Sequence, residues 1–294
     1  MISPRRWTLT AGAAVLAAAA VYLLAVRTAT GQTLENAVLR GADESYNHDA
    51  TVTADDALAQ ITVYSLAAAC VLIVLVGLNR RRLDLMIAAV GLIVAGQVVT
   101  QSLKRFILVR PELVDVTGDF KGNSLPSGHT TIAMTVLFAA LIIVPYRWRG
   151  VTMFFVLPWA VGIGAYTMTA KWHRLSDTLA ADAVALALAC CASWWLLRRG
   201  SLREREGRRR YPLRVVFVSL WSLYAVGFLA LGLILWIAPL VGEGLTTSAR
   251  DNAWTLYLGG TSLASAGSVV TALIFWASWR RLEAEPMSGA EVAR

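Results

Sequence analysis

Long apolar segments alternate with short polar ones along most of this chain. A membrane-spanning helix needs about 20 mostly apolar residues, and eight segments are close to that length. They are residues 7–26, 60–78, 85–103, 129–146, 151–170, 178–197, 215–238 and 256–279. The pattern predicts an all-α polytopic membrane protein with about eight transmembrane helices.

The first apolar segment follows Arg5 and Arg6, as the apolar part of a signal peptide would. The apolar region of a signal peptide is about 7 to 15 residues long, however, and this segment is longer. We therefore expect an uncleaved first helix.

Composition also favours a membrane protein. Hydrophobic residues make up 57% of the 294 residues, charged residues make up 16%, and the mean hydropathy is +0.58,. The pI near 9.8 is compatible with nucleic-acid binding, but the cations lie between apolar segments rather than on one face, so no nucleic-acid partner is expected. Cys70, Cys190 and Cys191 lie within apolar segments, which predicts core side chains rather than disulfides or metal ligands.

Lysine and arginine residues set the expected orientation. With the N-terminus in the cytoplasm, 18 of the 27 cationic residues fall inside,. The nine outside are Arg27, Arg40, Lys104, Arg105, Arg110, Lys121, Lys171, Arg174 and Arg250. Six of those nine lie in the two loops that carry the motifs described below, so these loops are predicted to face outward and to bind an anion. Both termini are then cytoplasmic, and the expected location is the bacterial cell membrane.

Two polar segments interrupt the apolar pattern. Residues 27–59 are acidic and include Glu35 and His48; without metal-ligand spacing, a solvated outer loop is expected there. Residues 198–214 are rich in arginine and are expected to form a cytoplasmic linker that meets anionic lipid head groups. The predicted division is a six-helix core over 1–197, the linker over 198–214, a two-helix extension over 215–279 and a cytoplasmic tail over 280–294.

The first motif, Pro126-Ser127-Gly128-His129, opens the fourth apolar segment. At a helix N-terminus, free backbone N–H groups and the Ser127 hydroxyl can point at one anion, and Gly128 lets the backbone approach a phosphate oxygen. His129 then lies beside the bound group and can protonate a departing alkoxide. The alternative is an N-cap serine followed by a surface histidine.

The second motif runs from His173 to Asp177. If the sixth transmembrane helix begins near Ser176, Asp177 can accept a hydrogen bond from one ring nitrogen of His173 and leave the other as a nucleophile. Asp177 at a helix N-terminus also suits a purely structural role. Asp182, further along the same segment, lies close to the helix start, and this position weakens the case for a function.

Two cations lie upstream of both motifs. Arg110, followed by Pro111, offers a rigid bidentate donor for a phosphate oxygen, and Lys104 offers a mobile point charge. The alternative is a pair of snorkelling cations at the membrane interface. In both cases these residues belong near the membrane surface.

Together the motifs resemble those of the type 2 phosphatidic acid phosphatase family, membrane lipid phosphatases with an active site like that of vanadium haloperoxidases. The family signatures are K-x-x-x-x-x-x-R-P, P-S-G-H and S-R-x-x-x-x-x-H-x-x-x-D. This chain has Lys104 to Arg110-Pro111, Pro126 to His129, and His173 to Asp177 in the same order. The resemblance covers about residues 60–197.

The first signature departs from the family pattern. Five residues separate Lys104 from Arg110, whereas the pattern has six. Either the helix end shifts, or Arg105 must help.

The third signature lacks an arginine. The Ser-Arg pair expected before His173 is Tyr166-Thr167 in this chain. Lys171 and Arg174 flank His173 in the same loop, and we expect one of them to supply part of the missing charge. Neither reproduces the geometry of the lost guanidinium.

The resemblance implies phosphoryl transfer through a covalent phosphohistidine, without a metal or another cofactor. In this mechanism His173 is the nucleophile, Asp177 orients it, and His129 protonates the leaving group. The implied phosphate-binding residues are Lys104, Arg110, Ser127, Gly128, Lys171 and Arg174.

The expected function is hydrolysis of a lipid phosphate or a polyprenyl diphosphate head group at the outer membrane face. The expected partners are this substrate and membrane lipids, and neither the exact lipid nor the oligomeric state is indicated. The alternatives are a lipid phosphotransferase and a non-catalytic lipid-binding relative. Retention of His129, His173 and Asp177 argues against the second. A transporter is disfavoured because the polar motifs lie at helix ends rather than at mid-membrane.

Overall fold

The computed structural model describes residues 3–43, 48–59, 63–115, 122–205 and 212–284, and these residues are mostly helical. The helices are α1 Arg5–Val21, α2 Ala29–Asp43, α3 His48–Ala59, α4 Val63–Asn79, α5 Leu83–Ser102, α6 Gly128–Ile143, α7 Arg149–Thr169, α8 Leu175–Arg198, α9 Pro212–Glu243, α10 Leu245–Asp251 and α11 Ala253–Ser278. Strands β1 Arg203–Glu204 and β2 Leu282–Glu283 pair antiparallel. The helices α1 and α5 continue into π-helical turns, Tyr22–Val26 and Leu103–Ile107. The predicted all-α class is confirmed.

Each of the eight predicted apolar segments coincides with a helix, namely α1, α4 to α9 and α11. Within the described residues, 6 helical stretches are long and apolar enough to cross a membrane: Arg5–Val26, Leu83–Ile107, Tyr146–Thr169, Leu175–Arg198, Pro212–Glu243 and Ala253–Ser278. Two apolar helices are shorter, Leu66–Asn79 and Gly128–Ile143. The prediction of a polytopic membrane fold is confirmed.

The expectation of a solvated loop over residues 27–59 is wrong, because the described part of this segment forms α2 and α3. In α2, the apolar residues Leu34, Val38 and Ala42 recur every four residues. Val38 and Ala42 are buried, and α2 packs against α11. A helix can carry many charges and still bury one apolar face, so the acidic composition concealed this spacing. The side chain of His48 lies outside the described part of the chain.

The central helix of the bundle is α6, which contacts α4, α5, α7, α8 and α11. Its side chains Leu137 and Phe138 are fully buried, and the Phe138 ring lies 4.6 Å from the ring of Phe275 in α11. The helix α11 also packs against α2, α7, α8 and α9. The last long helix is therefore part of the same hydrophobic core as the helices that carry the motifs.

The two ends of the bundle carry different groups. At one end α5 and α7 finish while α6 and α8 begin, so the three signatures meet there. At the other end Arg80 donates to the carbonyl oxygen of Ile143 at 2.6 Å, and buried Arg149 donates to that of Leu282 at 2.7 Å. This second end is the one predicted to be cytoplasmic. Lys121, most of the predicted tail and part of the arginine-rich linker lie outside the described ranges.

Candidate active site

His173 and Asp177, at the start of α8, form a buried hydrogen-bonded pair. The Nδ1 atom of His173 lies 3.0 Å from Oδ2 of Asp177, and the two residues are 8% and 1% exposed. The same oxygen accepts the backbone N–H of Arg174 at 2.9 Å. Because a carboxylate can only accept, Nδ1 is the donor, and Nε2 of the neutral ring keeps its lone pair. The structure thus contains the contact expected from the four-residue spacing.

The loop before His173 is held against the end of α7. The backbone N–H groups of Trp172 and His173 donate to the Thr167 carbonyl oxygen at 2.9 and 3.0 Å. Thr167 is fully buried, and its hydroxyl donates to the Gly164 carbonyl oxygen at 2.7 Å. Thr167 therefore supports the loop through its backbone, while its hydroxyl is directed into α7.

Arg174 lies at the N-cap of α8 and is buried. Its Nη1 donates to the Ser124 hydroxyl at 2.9 Å. Burial lowers the pKa of Arg174 and the neighbouring charge of Arg110 lowers it further, whereas Asp177 and Glu35 act in the opposite direction. Since a guanidinium stays charged through such changes, Arg174 and Arg110 are two arginine cations within electrostatic reach of each other.

Lys104 lies in the π-helical turn that ends α5. In this turn the N–H of Leu108 donates to the carbonyl oxygen of Leu103, five residues earlier, at 2.8 Å. A π-turn points side chains in different directions from an α-helix. Lys104 lies close enough to Asp177 to interact with it electrostatically, whereas Arg105 is exposed. Of the two explanations for the short spacing between Lys104 and Arg110, the structure therefore favours the altered helix end over a contribution from Arg105.

Ser127 is the N-cap of α6. Its hydroxyl oxygen accepts the backbone N–H of Thr130 at 3.3 Å and the Thr130 hydroxyl at 3.0 Å. Its backbone N–H donates to the Asp177 carbonyl oxygen at 3.0 Å, which joins the first turns of α6 and α8. Ser127 therefore caps α6, as the alternative interpretation of the motif predicted. Neither of the two hydrogen bonds to its hydroxyl oxygen uses the hydroxyl hydrogen.

His129 follows in the first turn of α6 and is half-buried. Its ring centroid lies 5.3 Å from that of Trp172, and the planes are tilted by 57°. His129 is also within electrostatic reach of His173 and Lys104. At the preceding Gly128, an added Cβ would meet only the Gln101 amide nitrogen, at 3.6 Å. The backbone is thus accessible at Gly128.

A cavity of about 520 Å³ opens beside His173. Its walls are Leu39, Gly122, Asn123, Ser124, Ala170, Lys171, Trp172, His173 and Arg174. Lys171 has a left-handed backbone conformation with φ of 59°. The cavity therefore combines the expected nucleophile with both residues proposed to replace the missing arginine.

A second cavity, of about 440 Å³ and lined entirely by apolar surface, lies between α1, α5 and α8. It includes Ala18 of α1 and Ala183 of α8, and it also includes Leu125 and Pro126, which directly precede Ser127. This cavity is called the apolar groove below. A hydrocarbon chain is chemically suited to such a lining.

Sequence reasoning missed Glu35, which α2 brings into the site. Its Oε1 accepts the backbone N–H of Ser176 at 3.0 Å, and its Oε2 lies 3.4 Å from Nη1 of Arg110. Burial, followed by the charge of Asp177, raises the pKa of Glu35. The only sequence signal for this residue was the amphipathic spacing of α2.

Asn123 was also missed, although it lies just before the P-S-G-H motif. Its amide nitrogen contacts three carbonyl oxygens, those of Lys104, Leu108 and Leu125, at 3.3, 3.0 and 3.2 Å. These bonds tie the end of α5 to the start of the motif. No group of three His, Cys, Asp or Glu side chains arranged for a metal ion occurs in the described part of the chain.

Comparison with known families agrees with the motif analysis. Residues 84–201 match the family model of the PAP2 superfamily. This range runs from α5 to just beyond α8 and includes every predicted site residue, whereas Glu35 lies outside it. No curated protein and no solved structure gives a significant match.

Proposed function

We propose that this chain, whose residues 84–201 match the family model of the PAP2 superfamily, is an integral membrane phosphatase that hydrolyses lipid phosphate or polyprenyl diphosphate head groups. The observation that supports this most is the buried His173–Asp177 pair beside a cavity lined by Lys171 and Arg174. A nucleophile, a carboxylate that orients it and cations for the phosphate oxygens are the groups that phosphoryl transfer through histidine requires.

In the first step, Nε2 of His173 attacks phosphorus, and the bond from phosphorus to the leaving oxygen breaks. Asp177 keeps Nδ1 protonated and stabilises the positive charge that develops on the ring. Arg110 and Arg174 hold the phosphate oxygens. His129 donates a proton to the leaving oxygen, so the product departs as an alcohol or, from a diphosphate, as a monophosphate.

In the second step, water attacks the phosphohistidine. His129, now neutral, accepts a proton from this water, and the phosphorus–nitrogen bond breaks. Inorganic phosphate leaves, and His173 returns to its starting state. Both steps use only side chains of this protein and water, so we expect the reaction to be independent of metal.

The apolar groove supports a lipid as the substrate. Leu125 and Pro126 line this groove, and the next residue, Ser127, is the N-cap of α6, the helix proposed to bind phosphate. A head group in the polar cavity could therefore have its tail in the groove. The outward orientation is supported by the placement of the arginines Arg80 and Arg149 at the opposite end of the bundle,.

The direct test is phosphate release by the purified protein from a panel of substrates. The panel contains a polyprenyl diphosphate, phosphatidate, phosphatidylglycerophosphate, a sphingoid phosphate and a water-soluble phosphate monoester. We expect release from at least one lipid, unchanged by EDTA and inhibited by orthovanadate, which adopts the geometry of the transferring phosphoryl group. Absence of release, or loss in EDTA that Mg²⁺ restores, would contradict the proposal. Transfer to an added alcohol instead of water would favour the phosphotransferase.

A further inference from the structure

The backbone N–H of Ser176, in the first turn of α8, is not accepted by a side chain of that turn. The N-cap residue is Arg174, whose side chain contains only donors,. In the nearby carboxylate of Asp177, Oδ2 accepts from the His173 ring and from the Arg174 backbone. The Ser176 N–H instead donates to Glu35, 141 residues earlier in the chain. A residue of α2 therefore completes the helix terminus that carries the proposed nucleophile.

Glu35 also contacts the guanidinium of Arg110. Their side chains are 3% and 4% exposed, and the closest atoms, Oε2 and Nη1, are 3.4 Å apart. The other terminal nitrogen of Arg110, Nη2, is buried and has no hydrogen-bond partner among the described residues. Leaving a buried donor without a partner is unfavourable, and more so when the group is charged. One edge of Arg110 is thus held by Glu35, and the other can meet an anion.

The segment around Arg110 has no helix or strand of its own to position it. Gln32, one turn before Glu35 in α2, donates through its amide nitrogen to the Pro111 carbonyl oxygen at 2.7 Å. Its amide oxygen is 3.4 Å from the backbone nitrogen of Leu113, which donates to it. The helix α2 therefore holds both the backbone and the guanidinium of this segment.

From these contacts we infer that Glu35 is a positioning residue, whose carboxylate fixes the Arg110 guanidinium relative to the first turn of α8. A phosphate can then meet Arg110 and His173 at the same time. This role rests on the proposed function, but it predicts oxyanion binding as well as turnover. Burial and the charge of Asp177 both disfavour an ionised carboxylate at Glu35,, so its contacts with Ser176 and Arg110 fit a positioning role better than a stabilising one.

Two other roles for Glu35 give different results. As a helix cap alone, it would affect stability and activity in the same way whether Arg110 is present or absent. If Glu35 instead competes with phosphate for Arg110, removing Glu35 would strengthen oxyanion binding. Glu35→Gln separates these cases, because Ser176 and Arg110 contact different oxygens of Glu35 and the amide replaces one of them with an NH2 group, which cannot accept.

The experiment is a double-mutant cycle on orthovanadate affinity, measured by calorimetry on the full-length protein. Glu35→Ala should weaken binding by about tenfold or more, and Glu35→Gln should have a smaller effect in the same direction. In the Arg110→Ala background, Glu35→Gln should change affinity by less than about twofold. The control is Asn36→Ala, since Asn36 is a buried polar neighbour whose side-chain oxygen has no hydrogen-bond partner within the described part of the chain. It should bind like the wild type.

Thermal unfolding of each variant reports any loss of folding separately. Equal effects of Glu35→Gln in both backgrounds, or tighter binding in Glu35→Ala, would overturn the positioning role even if the wild type is an active phosphatase. The protein could also bind vanadate and show coupling between Glu35 and Arg110 but release no phosphate. This result would uphold the positioning role and reject the proposed function. A wild type that binds no vanadate would overturn both.

Discussion

Arg174 has the clearest role among the cations around the proposed nucleophile. It is buried at the start of α8, it donates to Ser124, and it interacts electrostatically with Arg110. Lys171 lines the same cavity but is only half-buried. Of the two residues expected to replace the missing family arginine, Arg174 is therefore the better placed to hold a phosphate oxygen.

Replacing Arg174 by Ala should lower kcat/KM by about one to two orders of magnitude, as loss of a hydrogen bond to a charged group does. Lys171→Ala should have a smaller effect, because a half-exposed cation is screened by solvent. Steady-state kinetics on the best lipid of the panel, with thermal unfolding as the folding control, would measure this. If kcat/KM is unchanged in both variants, or falls more in Lys171→Ala than in Arg174→Ala, then Arg174 does not replace the missing family arginine.

Sequence spacing anticipated the local contacts of the site and missed the distant ones. The contact between His173 and Asp177 could be inferred because they are four residues apart and Asp177 lies in the first turn of the helix that follows His173. The contact of Glu35 with Ser176 joins parts of the chain 141 residues apart, and no short pattern records it. Only the packing of α2 against the bundle brings these groups together.

At the scale of elements, helices with long apolar segments were predicted well, whereas a charged amphipathic helix and an irregular helix end were not. Each of the eight apolar segments forms a helix. Their apolar composition reflects burial in lipid or in the protein core, where a helix satisfies the backbone hydrogen bonds. The helix α2 was concealed by its charges. The π-turn at Leu103–Ile107 depends on local hydrogen bonding that apolar spacing does not report,.

The apolar groove between α1, α5 and α8 leads to a prediction about substrate length. Ala18 lines the groove, whereas Ala20 on the same helix is exposed and does not. Ala18→Phe should fill the groove and lower kcat/KM for long-chain lipid phosphates by about tenfold, since each excluded methylene forfeits roughly 0.8 kcal/mol. Hydrolysis of the water-soluble monoester should be unchanged.

The matched control for this experiment is Ala20→Phe, which adds the same ring on the exposed side of α1. It should behave like the wild type with every substrate. Equal losses for lipid and soluble substrates in Ala18→Phe would point to a distorted site rather than a blocked groove. Full activity of Ala18→Phe on lipids would mean that the tail lies elsewhere.

The whole molecule places its chemistry at one end of a helix bundle. Because successive spanning helices run in opposite directions, the end of α5, the start of α6, the end of α7 and the start of α8 meet on one side. The family match covers these four helices. The flanking helices α2 and α11 complete the surroundings, with α11 packed against α2, α7 and α8. Motif order could reveal the site, but not which flanking helices enclose it.

The central claim is a covalent intermediate on His173, and trapping that intermediate tests it most directly. The purified protein is mixed with a lipid phosphate radiolabelled in the transferring group, quenched rapidly in base and mapped by peptide mass spectrometry. We predict label on His173 in the wild type and none in His173→Ala, which should also be inactive. His129→Ala should still be labelled, more slowly for substrates with poor leaving groups. Label on another residue, or full activity of His173→Ala, would contradict the account.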